Sequence, residues 1–261
     1  MRRALGQSLR IEVAPHAVSL LRLSRWRGAP VTPLARHVIT ASAEHPFDAI
    51  AQALRALLGE LELRSWPVSF VLADELTRLW QVTPPTGATR MADLEAAAAL
   101  RFQSLYGEAP GAWQFSADWN TRQSFFAAAV PRTLLAELQQ VADEFKLSVV
   151  AITPHFVSAW NRWQPALKPD SWYGLVHDGV LTLALVAAAT RRGGQLKAVR
   201  ALPLPADASP AWLAQTVQRE ALLHNLSLPA RLQASGALPA SWTHASGQPG
   251  AIACVALDGS L

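Results

Sequence analysis

One order of strand, turn and helix signals runs along the first half of this sequence and restarts in the second. Leu9 to Val13 and Val18 to Leu23 are short β-type runs separated by Ala14, Pro15 and His16, and after Gly28, Ala29 and Pro30 a third run follows at Pro33 to Ile39. Phe47 to Leu58 then places Ile50, Leu54, Leu57 and Leu58 on one helical face before Gly59, and Val68 to Leu72 reads as a buried strand. Beyond the linker from Pro165 to Pro169 the order begins again. Strand Tyr173 to His177, the Asp178-Gly179 turn, strand Val180 to Ala187, a turn at Arg191 to Gly194 and strand Lys197 to Leu202 form a second meander. A helix from Ser209-Pro210 to about Leu226 and strands at Arg231 to Ser235 and Ile252 to Leu257 complete it. This recurrence predicts an α/β protein of two similar halves.

Material between the two runs lengthens the first half. Arg78 to Thr83 reads as a strand stopped by Pro84-Pro85, and Ala92 to Tyr106 as an alanine-rich helix with Asp93 and Glu95 in its first turn and Gly107 after it. Trp113 to Trp119 and Ser124 to Val130 alternate around Asn120-Thr121-Arg122 as a hairpin. Thr133 to Phe145 is helical by period, Leu147 to Ile152 is a strand, and Thr153 caps a helix whose first residue is Pro154. The expected division is 1–153, including a helix-strand subdomain inserted around 86–130, and 154–261.

Half of the 261 residues are apolar, ample for a core of this size. Cys254 is the only cysteine, which excludes an intrachain disulfide and a multi-cysteine zinc site. Gln7, Ser8, Arg10 and Glu12 interrupt any signal-peptide apolar region after Arg2 and Arg3, and the most apolar run, Val180 to Ala189, has about half the length a membrane-spanning helix needs. The net charge of +4 is dispersed, except in residues 1–36, where seven arginines face the single acid Glu12. Arg22, Arg25 and Arg27 in that stretch are candidates for contact with an acidic protein segment or anionic headgroups, against plain solvation.

No Walker-type loop, G-x-G-x-x-G, H-E-x-x-H or G-x-S-x-G occurs, and no two of the seven histidines stand three or four apart. No catalytic residue and no metal ligand is therefore expected. His177 and Asp178 adjoin at a hairpin turn, where turn chemistry accounts for them. Trp113 and Trp119 share one face of a proposed strand, and Trp160 and Trp163 lie three apart on a proposed helix, as core residues or as a protein-binding groove. Stacking on single-stranded nucleic acid is the weaker reading, since no basic residues interleave with these tryptophans.

Six segments taken in order resemble a known family: LRIEVAPHAVSLLRL, SFVLADELTRLWQVTPP, LEAAAALRFQSLYGEAPGAWQFSADW, FFAAAVPRTLLAELQQVADEFKLSVVAITPHFVSAWNRW, YGLVHDGVLTLALV and RLQASGALP. Their order and spacing are similar to those of the type IV pilus assembly protein PilM, a branch of the actin-like ATPases with their duplicated ribonuclease-H-like fold. The cytoplasmic domain of the type II secretion L component, which continues into a membrane span not read here, is a close second. The resemblance implies nucleotide loops at Glu12 and His16, at Asp178 and Gly179, and at Ser235 and Gly236. Each loop departs from the family pattern: Pro15 removes a backbone donor beside His16, Val180 and Leu181 replace small polar residues after Asp178-Gly179, and a single glycine follows Ser235. The expectation is accordingly a non-catalytic adaptor without a cofactor. It would lie at the cytoplasmic face of a bacterial inner membrane and bind a cytoplasmic segment of a pilus-assembly partner. A secretion-platform domain and a working ATPase with ATP and magnesium are the alternatives; no nucleic-acid partner is expected.

Overall fold

Alternation sets the first strands. In β1 (Gln7–Ala14), Leu9, Ile11 and Val13 point into the core while Arg10 and Glu12 take the other face. β2 (Ala17–Ser24) pairs with it antiparallel from Gln7↔Ser24 to Ala14↔Ala17, and β3 (Thr32–Val38) pairs with β2. The computed structural model describes residues 6–24, 31–40, 46–61, 63, 65–190, 193–244 and 252–257. After α1 (Pro46–Gly59) the chain enters β4 (Pro67–Leu72), parallel to β1, whose apolar run suits a central strand buried on both faces. β8 (Ser148–Pro154) lies parallel to β4 and completes a sheet ordered β3-β2-β1-β4-β8. Beneath it, Ile50, Leu54 and Leu58 of α1 and Leu134, Leu138 and Val141 of α3 (Arg132–Glu144) join Leu9, Ile11 and Phe70 in one core. Arg55 ties the two helices at the surface, placing two guanidinium nitrogens 2.7 and 2.9 Å from the Glu144 carboxylate.

The inserted module begins earlier than the sequence predicts. β5 (Arg78–Val82) pairs antiparallel with β7 (Phe125–Pro131), which also pairs with β6 (Trp113–Ala117), so β5 belongs to a separate sheet ordered β5-β7-β6. α2 (Met91–Tyr106) packs Leu94, Ala98 and Phe102 on Trp80, Trp113 and Phe125. The module thus spans 78–131 rather than 86–130. Pro84-Pro85 marks the end of β5 without marking a boundary, because strand pairing decides membership and a proline pair decides only where pairing stops.

The second unit repeats the first. β9 (Ser171–His177), β10 (Val180–Thr190), β11 (Gly193–Pro203), β12 (Arg231–Gly236) and β13 (Ala253–Ala256) form a sheet ordered β11-β10-β9-β12-β13, with α5 (Pro210–Leu223) and α6 (Ala240–His244) between its later strands. β9 is antiparallel to β10 and parallel to β12, as β1 is to β2 and β4. Trp172, Leu183, Val217, Leu232 and Trp242 fill its core. The chain divides into compact units at Met1–His155 and Phe156–Leu261, and each carries one copy of the three-antiparallel, two-parallel sheet.

Three local expectations are corrected. Pro154 is not the first residue of a helix: it ends β8 opposite Leu72, and α4 starts one residue later (His155–Trp163). α5 stops at Leu223, three residues short, because Asn225 takes a left-handed φ of 50° and the N–H of Leu226 returns to the Ala221 carbonyl. Trp119 lies outside β6 at φ 45° and packs on Phe125, so it does not share a strand with Trp113. The Ser209 cap is as expected, its hydroxyl accepting from the Trp212 N–H.

Candidate functional site

The duplicated sheets give each residue of one hairpin a counterpart in the other. Val13 stands opposite Val18 and Leu72, and Val176 stands opposite Leu181 and Gly236. Pro15-His16 therefore answers Asp178-Gly179, and Leu72 answers Gly236. Main-chain bonds around the hairpins repeat as well. The Ile39 N–H donates to the His16 carbonyl and the Leu204 N–H to the Gly179 carbonyl, each at 2.8 Å. The Ala73 N–H donates to Val13 at 2.8 Å and the Ala237 N–H to Val176 at 3.0 Å.

The turns themselves differ. Asp178 and Gly179 both adopt left-handed backbone, φ 48° and 74°, the turn whose twist matches a two-residue hairpin. Pro15 and His16 are exposed and neither has positive φ, and Pro15 brings no N–H to the turn. An anion at this hairpin would find a ring where a backbone donor is needed. Glu12, half-buried, has its carboxylate 3.2 Å from the Nε of Arg10, a residue only 5 % exposed. Leu181, where a small polar residue would serve phosphate, is fully buried in the core, and His177 Nδ1 lies 3.3 Å from the Asp178 carboxylate.

At the end of β12 the two remaining loop residues have structural tasks. The Ser235 hydroxyl is 2.7 Å from that of Tyr173, and both side chains are buried. Gly236, at φ 97°, passes so close to β9 that a Cβ on it would sit 2.0 Å from the Val176 carbonyl oxygen. The register places Gly236 beside Val176, next to the Asp178-Gly179 hairpin, so these three loop residues gather at one end of the second sheet.

The proposed partner contacts separate. Arg22 lies directly across from Leu9 on the core side of the sheet and is half-buried. Arg25 and Arg27 lie outside the described residues. Trp160 stacks nearly parallel on Phe156, centroids 6.1 Å apart, and meets Tyr173 at 6.1 Å, so it covers the second sheet. Trp163 is half-buried with the Arg162 guanidinium 5.1 Å from its ring centre. Trp66, Trp80, Trp113, Trp172 and Trp242 are all buried, so tryptophan in this chain mainly fills cores. Burial pushes the Cys254 thiol up to about 11, leaving it protonated and inert at neutral pH. Among the described residues no three acidic, histidine or cysteine side chains gather as a metal site.

Two features escaped the sequence reading. In the inserted module Arg78 lies between the Tyr106 and Trp113 rings, at 5.5 and 5.2 Å, and 3.2 Å from Glu108. On α5, Leu213, Val217 and Ala221 enter the core while Leu222 and Leu223 remain 75 % and 67 % exposed. Trp212, Gln215, Gln218, Arg219 and these leucines line an open groove of about 660 Å³. On the same helix Glu220, 1 % exposed, lies 3.2 Å from both Arg200 and Arg219 and 3.9 Å from His224. The signal was in the sequence: once 213, 217 and 221 define the inward stripe, leucine at both 222 and 223 has no core to enter.

A sheet of this topology, repeated in two successive units of the chain, is that of the actin-like fold. No family model matches the chain, and no curated protein does. Among solved structures, the chain is similar to one of the PilM–PilN type IV pilus biogenesis complex, with a TM-score of 0.65 and 16 % identity over 98 % of this chain and 89 % of that one. A Bacteroides thetaiotaomicron protein of actin-like ATPase fold and unknown function gives 0.63 at 11 % identity, covering 97 % and 91 %. The cytoplasmic domain of EpsL, an inner membrane component of the type II secretion system of Vibrio cholerae, gives 0.56 at 14 % identity, covering 89 % and 83 %.

Proposed function

We propose that this chain is a non-catalytic adaptor of a type IV pilus assembly machine, bound at the cytoplasmic face of the inner membrane through a short cytoplasmic segment of a membrane partner. The observation that carries this reading is the first hairpin. The fold of the PilM–PilN structure extends over 98 % of the chain, yet Pro15 occupies the turn where a nucleotide phosphate needs a donor. The paired Glu12, the core-bound Leu181 and the Ser235–Tyr173 bond leave little at the other loops for a nucleotide to use. Among the described residues no helix is long and apolar enough to cross a membrane. A second reading, the cytoplasmic platform of a type II secretion system, is supported by the likeness to EpsL over 89 % of the chain.

Calorimetry tests the adaptor reading directly. ATP with magnesium should give no saturable heat at micromolar concentrations, whereas a synthetic cytoplasmic peptide from a single-span membrane protein encoded beside this chain should bind. Micromolar ATP affinity lost in Asp178→Ala would put the ATPase reading first. Replacing Arg22, Arg25 and Arg27 together by alanine should weaken peptide binding, more so as salt is lowered, if the basic N-terminal region takes part.

A further inference from the structure

We propose that the groove on the outer face of α5 docks an amphipathic helix of a protein partner that carries leucine-type side chains along one face and carboxylates beside them. This stands on the second unit alone and does not rest on the adaptor reading.

The groove has the form of a helix seat. From Trp212 to Leu223 it follows α5 for about 17 Å, roughly three helical turns, enough for anchors at i, i+3 or i+4, and i+7 on an opposing helix. Trp212 walls one end and is held rigid by a near-parallel stack on Trp242, with centroids 6.2 Å apart and an interplanar angle of 15°. Leu222 and Leu223 supply the apolar surface at the other end, and Leu228, 57 % exposed, follows them in the chain. Adjacent leucines exposed to this degree at a helix end are uncommon on a surface that meets only water.

Charge decides the occupant. Arg200 and Arg219 share a single carboxylate, that of Glu220, and Glu220 is buried while the two guanidiniums are 48 % and 59 % exposed. Arg219 lines the groove, and the carboxylate it meets is shared with Arg200, so the charge of Arg219 is only partly neutralised there; among the described residues no acidic side chain lines the groove. A carboxylate on the incoming helix complements that charge, with the planar fork of Arg219 suited to receive it. A second copy of this chain does not: a two-fold contact would set the same arginines against a patch whose one acid is buried. The concave, tryptophan-walled shape also favours a helix over a flat lipid surface.

The probe is a synthetic amphipathic peptide of about five turns with leucine on one face and glutamate at its flanks, beside a version with lysine for every glutamate. Titrated into the full chain and followed by amide NMR, the glutamate peptide should shift signals at Leu222, Leu223 and Arg219 saturably, and bind at least about tenfold more tightly than the lysine peptide. Arg219→Glu should reverse that preference. Leu222→Ser with Leu223→Ser should weaken binding about tenfold or more without lowering the melting temperature, since both side chains are mostly in water. Equal binding of the two peptides, or no reversal in Arg219→Glu, overturns the proposal. So does sedimentation showing a dimer that the double leucine variant dissolves, or binding to phosphatidylglycerol vesicles, but not to the peptide, that the same variant abolishes.

Discussion

The two units fold the same sheet and finish it differently. In the first, the strand ends carry Pro15-His16 and Leu72, and the polar residues of β1 pair with each other, Arg10 with Glu12. In the second, the matching positions carry the left-handed Asp178-Gly179 turn and Gly236, and the position that answers Arg10 is Tyr173, bonded to Ser235. Backbone hydrogen bonds to the hairpins are nevertheless repeated almost residue for residue. The scaffold of an actin-like fold is thus carried by main-chain pairing, which tolerates exchange of side chains at the very loops where the fold's ATPases bind nucleotide. A fold is shared by proteins of different function, so the chemistry of this chain is decided by the side chains at these loops and not by the fold.

Breaking the comparison is easiest at Gly236. Its counterpart Leu72 bears a full side chain, but Gly236→Ala would place a Cβ against the Val176 carbonyl in a backbone conformation L-residues avoid. The expected loss is about 3 kcal/mol or more in denaturant unfolding. A loss below about 1 kcal/mol would mean the two strand ends are interchangeable after all.

The buried hydroxyl pair comes next. Tyr173→Phe and Ser235→Ala should each cost about 1 to 2 kcal/mol, and the double variant clearly less than their sum, because both changes remove the same buried hydrogen bond. Strict additivity would show that the two hydroxyls act independently and that the second sheet has no counterpart to the Arg10–Glu12 pair.

The smallest effect lies in how the units hold their helices. Unit one joins α1 to α3 with an exposed pair, and the hydrogen bond from Arg55 holds the Glu144 carboxyl below its ordinary value of 4.5 against the opposing effect of desolvation. A carboxyl lowered on folding adds stability above its unfolded value and loses it as pH falls through the folded one. Glu144→Gln should therefore flatten the fall in stability below about pH 4.5 and leave wild type and variant alike in strong acid. A variant that keeps the full acid dependence would assign that dependence to other carboxylates.

Much of the fold was legible in advance. The restart of strand-strand-strand-helix at Tyr173, the Asp-Gly turn, the Ser209-Pro210 helix start and the alternation of β1 all have local causes, and the structure has them where the sequence put them. The missing backbone donor at Pro15 was also readable, since a proline ring lacks an N–H in any fold. The site was less legible. Ser235 and Gly236 read as a loop remnant, but one is spent on Tyr173 and the other is required by the approach of β9. Trp160 read as a core residue or as part of a protein-binding groove, and only its contacts with Phe156 and Tyr173 show that it covers the second sheet.

What the sequence determined by itself is what neighbouring residues settle among themselves: turn conformation, strand alternation, helical stripe, and from their recurrence the two-fold order of the chain. Tertiary structure alone decided that β5 joins the inserted sheet, that Pro154 belongs to β8, that Arg22 lies on the core side opposite Leu9, and that Leu222 and Leu223 are left in water beside Arg219, whose carboxylate partner is shared with Arg200. The reason is physical. Backbone preferences act within a few residues, whereas pairing partners, burial and shared charge depend on which distant segments the folded chain brings within contact distance.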